Sequence, residues 1–209
     1  MGADMAQMLS TGALTAPDPG AIAGAAIALR QGALVLLPTD TVYGIAADPR
    51  VAGWEQKLRR AKRRPEDKPI PFLASSMEQI EEQGAEMNEL ERALAKAFWP
   101  GGLTLVLQLR NGREEGFRIP DCAVTLAVLN AVGTALRVTS ANVSGEPAAI
   151  DAAAAVAALG ETAEWCLDAG PAQGGTASSV VRIRNEHLEI LRAGAIPDAV
   201  LERCVGETR

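Results

Sequence analysis

The nonapeptide Leu36-Leu37-Pro38-Thr39-Asp40-Thr41-Val42-Tyr43-Gly44 ends an apolar run in hydroxyls, one carboxylate and the chain's only tyrosine. A buried strand that stops in a polar, Gly-bounded corner is where α/β proteins commonly place ligands. Thr and Asp are also good turn and N-cap residues, so these nine positions alone leave an ordinary strand-to-loop transition open.

Further along, Lys57, Arg59, Arg60, Lys62, Arg63, Arg64 and Lys68 crowd into twelve residues of a chain whose net charge is −6. Cations at a helix C-terminus gain roughly 0.3–1 kcal/mol from the macrodipole. That accounts for one or two of them, not seven. A solvated basic face is one reading. The other is a phosphate clamp, in which Arg supplies a planar fork and Lys a point charge.

Two loops add polar groups after strands. In Thr139-Ser140-Ala141-Asn142-Val143-Ser144-Gly145 nearly every side chain can hydrogen-bond. It suits a turn, and equally a loop holding an amino acid or nucleotide. In Gly174-Gly175-Thr176-Ala177-Ser178-Ser179 the glycines let backbone approach a phosphate closely. Arg118 and Arg192 each stand at an expected strand end.

Absences narrow the chemistry. The lone histidine, His187, falls in an expected hairpin, which argues against a Ser-His-Asp triad or a His-based metal site. GxxxxGK[ST], GxGxxG and GxSxG are all missing. Cations, hydroxyls and glycines remain. That set suits the positioning and charge stabilisation of a phosphoryl or nucleotidyl group.

The 209 residues fit one domain, with 48% hydrophobic and 22% charged residues. Aromatics at 3% argue against base-stacking platforms. Three widely spaced cysteines with no CxxC pair favour neither a disulfide framework nor zinc. No apolar run approaches the roughly 20 residues that cross a bilayer. With no export signal read at the start, a cytoplasmic protein without a membrane partner is expected.

Periodicity supplies the elements. Residues 1–17 read as a loosely ordered leader, and 18–209 as the domain. Asp18-Pro19 opens a helix. Strands are expected at 33–37, 70–74, 103–107, 135–139 and 164–167, with helices at 52–63, 76–84, 89–98, 120–132, 151–159 and 197–204. Residues 178–184 and 187–191 form a hairpin about Asn185-Glu186. Strands and helices alternate while several strands are adjacent, so a mixed sheet covered by helices is expected.

The motifs stand in a definite order: the segment Pro38 to Gly44, then Lys62-Arg63-Arg64-Pro65 with Lys68-Pro69, then Trp99-Pro100-Gly101-Gly102-Leu103-Thr104. Arg118-Ile119-Pro120, Ser140-Ala141-Asn142-Val143-Ser144-Gly145, Gly175 with Ser178-Ser179, and Arg192-Ala193-Gly194-Ala195-Ile196 follow. From about Gly20 to Pro197 this order resembles the YrdC-like threonylcarbamoyl-AMP synthases, which act in tRNA modification. Ala193 and Gly102 depart from the family's usual proline, and Ser179 from a common Thr.

The resemblance implies an α/β fold, a YrdC/RibB-like twisted mixed β-sheet flanked by helices around a positively charged cavity. It implies L-threonine, bicarbonate and ATP as substrates, with Mg²⁺. The product, threonylcarbamoyl-AMP, would pass to a tRNA threonylcarbamoyl transferase complex, and tRNA or double-stranded RNA is a further candidate partner. Lys62 and Arg64 would be catalytic. Thr39, Thr41, Tyr43, Arg64, Lys68, Ser140 and Ser178 would take threonine and bicarbonate. Lys62, Arg118, Thr139, Ser140, Asn142 and Arg192 would take the nucleotide, and no residue is assigned to a metal. The alternative is a catalytically silent YrdC/YciO-like module binding double-stranded RNA. The intact Ser140-Ala141-Asn142 favours the enzyme.

Overall fold

The structure, a computed structural model, describes residues 7–10 and 18–208. Of the expected leader, only Gln7–Ser10 lies among them, and it forms strand β1. Helix α1 (Pro19–Arg30) starts as its sequence requires, with Pro19 in the first turn and the Asp18 carboxylate accepting from Ala21 N–H at 2.8 Å. Then come β2 (Val35–Leu37), β3 (Gly44–Ala47), α2 (Trp54–Lys62), β4 (Phe72–Leu73), α3 (Met77–Glu82), β5 (Ala85–Glu86) and α4 (Glu89–Phe98). The second half holds β6 (Leu103–Leu109), β7 (Glu114–Arg118), α5 (Ala123–Val132), β8 (Leu136–Ser140) and α6 (Ala152–Leu159). It closes with β9 (Trp165–Asp168), β10 (Ser179–Arg184), β11 (His187–Arg192) and α7 (Asp198–Thr208).

The strands form one mixed sheet in the order β1-β9-β2-β3-β8-β4-β7-β6-β10-β11, with β5 paired to β6. β9 runs parallel to both β1 and β2, while β3 is antiparallel to β2 and to β8. Besides β1, three of the strands were not expected. β3 (Gly-Ile-Ala-Ala) has little intrinsic strand preference and is held by partners on both sides. β5 is two residues long, and β7 mixes charges with a glycine yet pairs with both β6 and β4. The expected hairpin is present. Asn185 and Glu186 both have positive φ, 50° and 63°, the requirement of a two-residue type I′ turn.

Side-chain alternation places the core. Val35 and Leu37 pack with α1 and α5, whereas Leu34 and Leu36 pack with α6, so helices cover both faces of that half. In the other half Leu103, Leu105, Leu107 and Phe117 face α4 and α7. Their neighbours Thr104, Val106, Gly116 and Arg118 point to the opposite face, which forms the floor of a cavity.

Candidate functional site

That cavity measures about 710 Å³ and is walled by segments far apart in sequence. The turn between β2 and β3 supplies Thr39, Thr41 and Tyr43, and the loop after α2 supplies Arg64 and Lys68. β8 supplies Thr139 and Ser140, while Arg118, Ser178 and Arg192 close it from β7, the segment before β10, and β11. Of the residues expected at the site, Lys62 and Asn142 alone are not in this wall. They pack directly behind Ser140.

Each polar group has a traceable orientation. Arg118 is a donor only, and its Nη1 donates to Thr41 Oγ1 at 2.8 Å. Thr39 donates its own hydroxyl hydrogen to the Val42 carbonyl at 2.6 Å. The Thr39 and Thr41 oxygens are 3.0 Å apart, so the shared hydrogen must come from Thr41. The chain therefore runs one way, from Arg118 through Thr41 and Thr39 to Val42, and both threonine hydrogens are spent. Thr39 also accepts from the backbone N–H groups of Thr41 and Val42 at 3.2 Å, which makes it the organiser of the turn. The Tyr43 hydroxyl is likewise engaged. It donates to Gly170 O at 2.7 Å, and burial of the 0% exposed ring pushes the phenol above its ordinary range.

Charge is unevenly spread over the wall. Arg118, 5% exposed, binds Gly101 O through Nε at 2.8 Å and pairs with the Asp40 carboxylate through Nη2. Desolvation lowers its pKa, and Asp40 offsets part of that. Arg182 is also paired, with Glu114 at 2.8 Å and Glu189 at 2.5 Å. By contrast, Arg64, Lys68 and Arg192 form no salt bridge among the described residues. Burial, then the neighbouring Arg59 and Arg192, hold the Arg64 guanidinium below its usual value. Burial also lowers the Arg192 guanidinium, so two arginines of this hollow are held below their usual values.

Local structure explains their convergence. Helix α2 ends at Arg63 in the left-handed conformation, φ 49°, with Arg64 N–H returning to Arg59 O at 2.9 Å. That reversal swings Arg64 back over the sheet, where it caps Lys68 O at 3.3 Å and Pro69 O at 2.7 Å. Arg192 reaches Ser178 O at 2.6 Å and Ser178 Oγ at 3.0 Å, and Ser178 Oγ lies 2.8 Å from Thr104 Oγ1. Two glycines permit these crossings. A Cβ on Gly174 would sit 2.7 Å from Asp40 O, and one on Gly194 would sit 2.4 Å from Ala177 O.

Sequence reasoning did not single out Asp40 or Thr104 as site groups. Asp40 lies between two threonines that were singled out. Thr104 stands at an alternate position of a leucine-rich strand, which is a signal for the uncovered face. The burial of Lys62 was also legible, since Trp54, Leu58 and Lys62 recur at helical i, i+4 spacing.

Comparison with known proteins fits this geometry. The profile of the Sua5/YciO/YrdC family, described as "telomere recombination", matches residues 27–194. The chain is 40% identical over 201 residues to a putative threonylcarbamoyl-AMP synthase of Mycobacterium leprae, covering 91% of each. It is 32% identical to the threonylcarbamoyl-AMP synthase of Bacillus subtilis, over 94% of this chain and 59% of that protein. Among solved structures, P. abyssi Sua5 complexed with L-threonine superposes with a TM-score of 0.90 at 29% identity, over 96% of this chain and 61% of that one. E. coli YciO, at 17% identity and a TM-score of 0.82 over 94% of this chain and 99% of that one, shares the fold. The chain belongs to the Sua5/YciO/YrdC family.

Proposed function

We infer that this chain is an L-threonylcarbamoyladenylate synthase, a nucleotidyltransferase that uses L-threonine, bicarbonate and ATP. The observation that carries the reading is the grouping of Arg64, Lys68 and Arg192, which form no salt bridge among the described residues and come from two distant segments, on one wall of a hydroxyl-lined cavity. A triphosphate carries close to four negative charges, and each charge-assisted hydrogen bond contributes about 1.5–3 kcal/mol. The volume also suits a nucleotide with a small amino acid, within the roughly 300–1,000 Å³ typical of ligand sites.

The chemistry runs in two steps. Threonine's neutral amine attacks the bicarbonate carbon, a C–N bond forms, and water leaves, giving the carbamate. A carbamate oxygen then attacks the α-phosphorus of ATP, the bond to the bridging oxygen breaks, and pyrophosphate departs. No covalent enzyme intermediate is needed, so the protein acts by orientation and by stabilising charge on the phosphates. Arg64, Lys68 and Arg192 face the phosphates. Thr41, Thr139, Ser140 and Ser178 hold the polar groups of the amino acid and nucleotide, and Arg118 fixes Thr41.

Glu114, which lines the cavity, is tied to Arg182, and Asp40, behind the wall, to Arg118. Mg²⁺ would thus be held by phosphate oxygens and water, its usual mode with nucleotides, and would draw charge from the leaving pyrophosphate. The product would go to the transferase complex that modifies tRNA, in the cytoplasm. Omitting each substrate in turn tests the reading: pyrophosphate release must require threonine and bicarbonate as well as ATP. Release that is indifferent to threonine would remove it.

A further inference from the structure

The loop from Ser140 to Glu146 closes one end of the cavity, and it is gripped from behind by Lys62. The Lys62 side chain is 1% exposed. Its ammonium donates to the carbonyl oxygens of Ser140 and Asn142, the latter at 2.6 Å, and to Asn142 Oδ1 at 3.3 Å. An ammonium has three hydrogens, so none is left over. The Lys62 backbone carbonyl meanwhile accepts from Ser144 N–H at 2.9 Å. One residue at the end of α2 therefore holds both sides of the turn.

The hydrogen-bond polarity of that turn follows. Asn142 Nδ2 donates to Val143 O at 2.8 Å and to Glu146 O at 2.7 Å, which uses both its hydrogens. Oδ1 is thereby turned toward Lys62 and Ser140. Ser140 Oγ gives its one hydrogen to Asn142 Oδ1 at 2.5 Å. What Ser140 shows to the cavity is then lone pairs only.

We propose that Lys62 is a positioning residue: its ammonium fixes the Ser140-Ala141-Asn142 turn from outside the cavity, and so presents Ser140 as an acceptor for a ligand hydroxyl or N–H. A phosphate or carboxylate oxygen has no hydrogen to offer there and meets Arg64, Lys68 and Arg192 instead. The family resemblance had assigned Lys62 to the ATP phosphates, and its surroundings point elsewhere. Every oxygen on the ammonium is neutral, it forms no salt bridge among the described residues, and the charged group acting on it is the cation Arg64. Burial, then Arg64, lower its pKa to about 8, the response of a cation without a counter-ion. The proposal rests on the function above only in its choice of ATP as probe.

The test is an NMR titration of Lys62 Nζ in the wild-type protein, free and saturated with a non-hydrolysable ATP analogue. Beside it, amide exchange of residues 140–146 is compared between wild type, Lys62→Met and Lys62→Arg. An ammonium behind the loop keeps its midpoint within about half a unit on nucleotide binding, because direct contact with a triphosphate would raise it by about a unit or more. Loop exchange should quicken about tenfold in Lys62→Met and recover in part in Lys62→Arg. A larger upward move of the midpoint, or unchanged loop exchange in Lys62→Met, overturns the proposal. Should Lys62→Met not fold, the wild-type titration decides. Should the analogue not bind at all, the synthase reading fails and the exchange comparison decides this one.

Discussion

Arg118 and Asp40 are paired across the cavity wall, the guanidinium binding the carboxylate through Nη2 and Thr41 through Nη1. The most buried cation of the cavity wall is thus neutralised in place, and it holds the Thr39–Thr41 turn. Removing one partner of a buried pair strands the other charge. Asp40→Asn should therefore lower unfolding free energy by about 3 kcal/mol, and Asp40→Asn with Arg118→Met should lose less than the sum of the two single changes. Urea unfolding measures both. Additive losses would show that the two side chains act independently.

Lys62 gives a stability signature in pH. Its folded pKa of about 8 lies below the ordinary lysine value, so the folded state releases this proton first. From about pH 8 to 10 the unfolded state binds more protons, and stability rises with pH. The cost of the buried charge is thus fully present below pH 8 and removed above it. Lys62→Met abolishes the titration, so wild type should gain on the variant by up to about 3 kcal/mol across that interval. Melting temperatures compared at pH 7 and pH 10 read this directly. Parallel curves for the two proteins would place the ammonium in solvent.

Arg64 and Arg192 are the open cations. Arg192 uses its fork on Ser178 O and Ser178 Oγ, a geometry that a lysine cannot copy. Arg192→Lys should raise the KM for ATP about tenfold with little change in melting temperature, and Arg64→Ala should do the same. Arg64→Ala should also show a shallower dependence of ATP affinity on salt, because one charge fewer meets the phosphates, whereas Arg192→Lys, which keeps its charge, should not. Equal KM in wild type and variants would take these residues out of the phosphate site.

Gly194 tests the backbone crossing that sets Arg192. A methyl there meets Ala177 O at 2.4 Å, and the Ser178 and Ser179 backbones at the same distance. Gly194→Ala should cost about 1–3 kcal/mol and reduce activity beyond what the stability loss explains. Thermal unfolding and turnover measured on one preparation separate the two effects. Wild-type turnover would mean that the loop holding Arg192 has slack.

The division between what was readable and what was not has physical causes. Helix α1 and the hairpin about Asn185 carry local signals, a proline-led cap and two consecutive left-handed residues. Strand β3 carries none, since two alanines and a glycine become a strand only between β2 and β8. At the cavity, most of the cations and hydroxyls that line it were readable because they cluster in short runs of the sequence. Their division into paired and unpaired was not. Arg118 and Asp40 stand far apart in sequence, and nothing local in either says that they meet. Lys62 sits among exposed neighbours in a basic run, and only its phase with Trp54 and Leu58 marks it as inward.

The central claim is that a carbamate made from threonine and bicarbonate is adenylylated in this cavity. Incubating the protein with ATP, L-threonine and carbon-13 bicarbonate, then weighing the adenylate by mass spectrometry, tests it most directly. The account predicts threonylcarbamoyl-AMP carrying one labelled carbon, with one pyrophosphate released for each molecule formed. An unlabelled adenylate, or no adenylate from protein that binds both ATP and threonine, would contradict it.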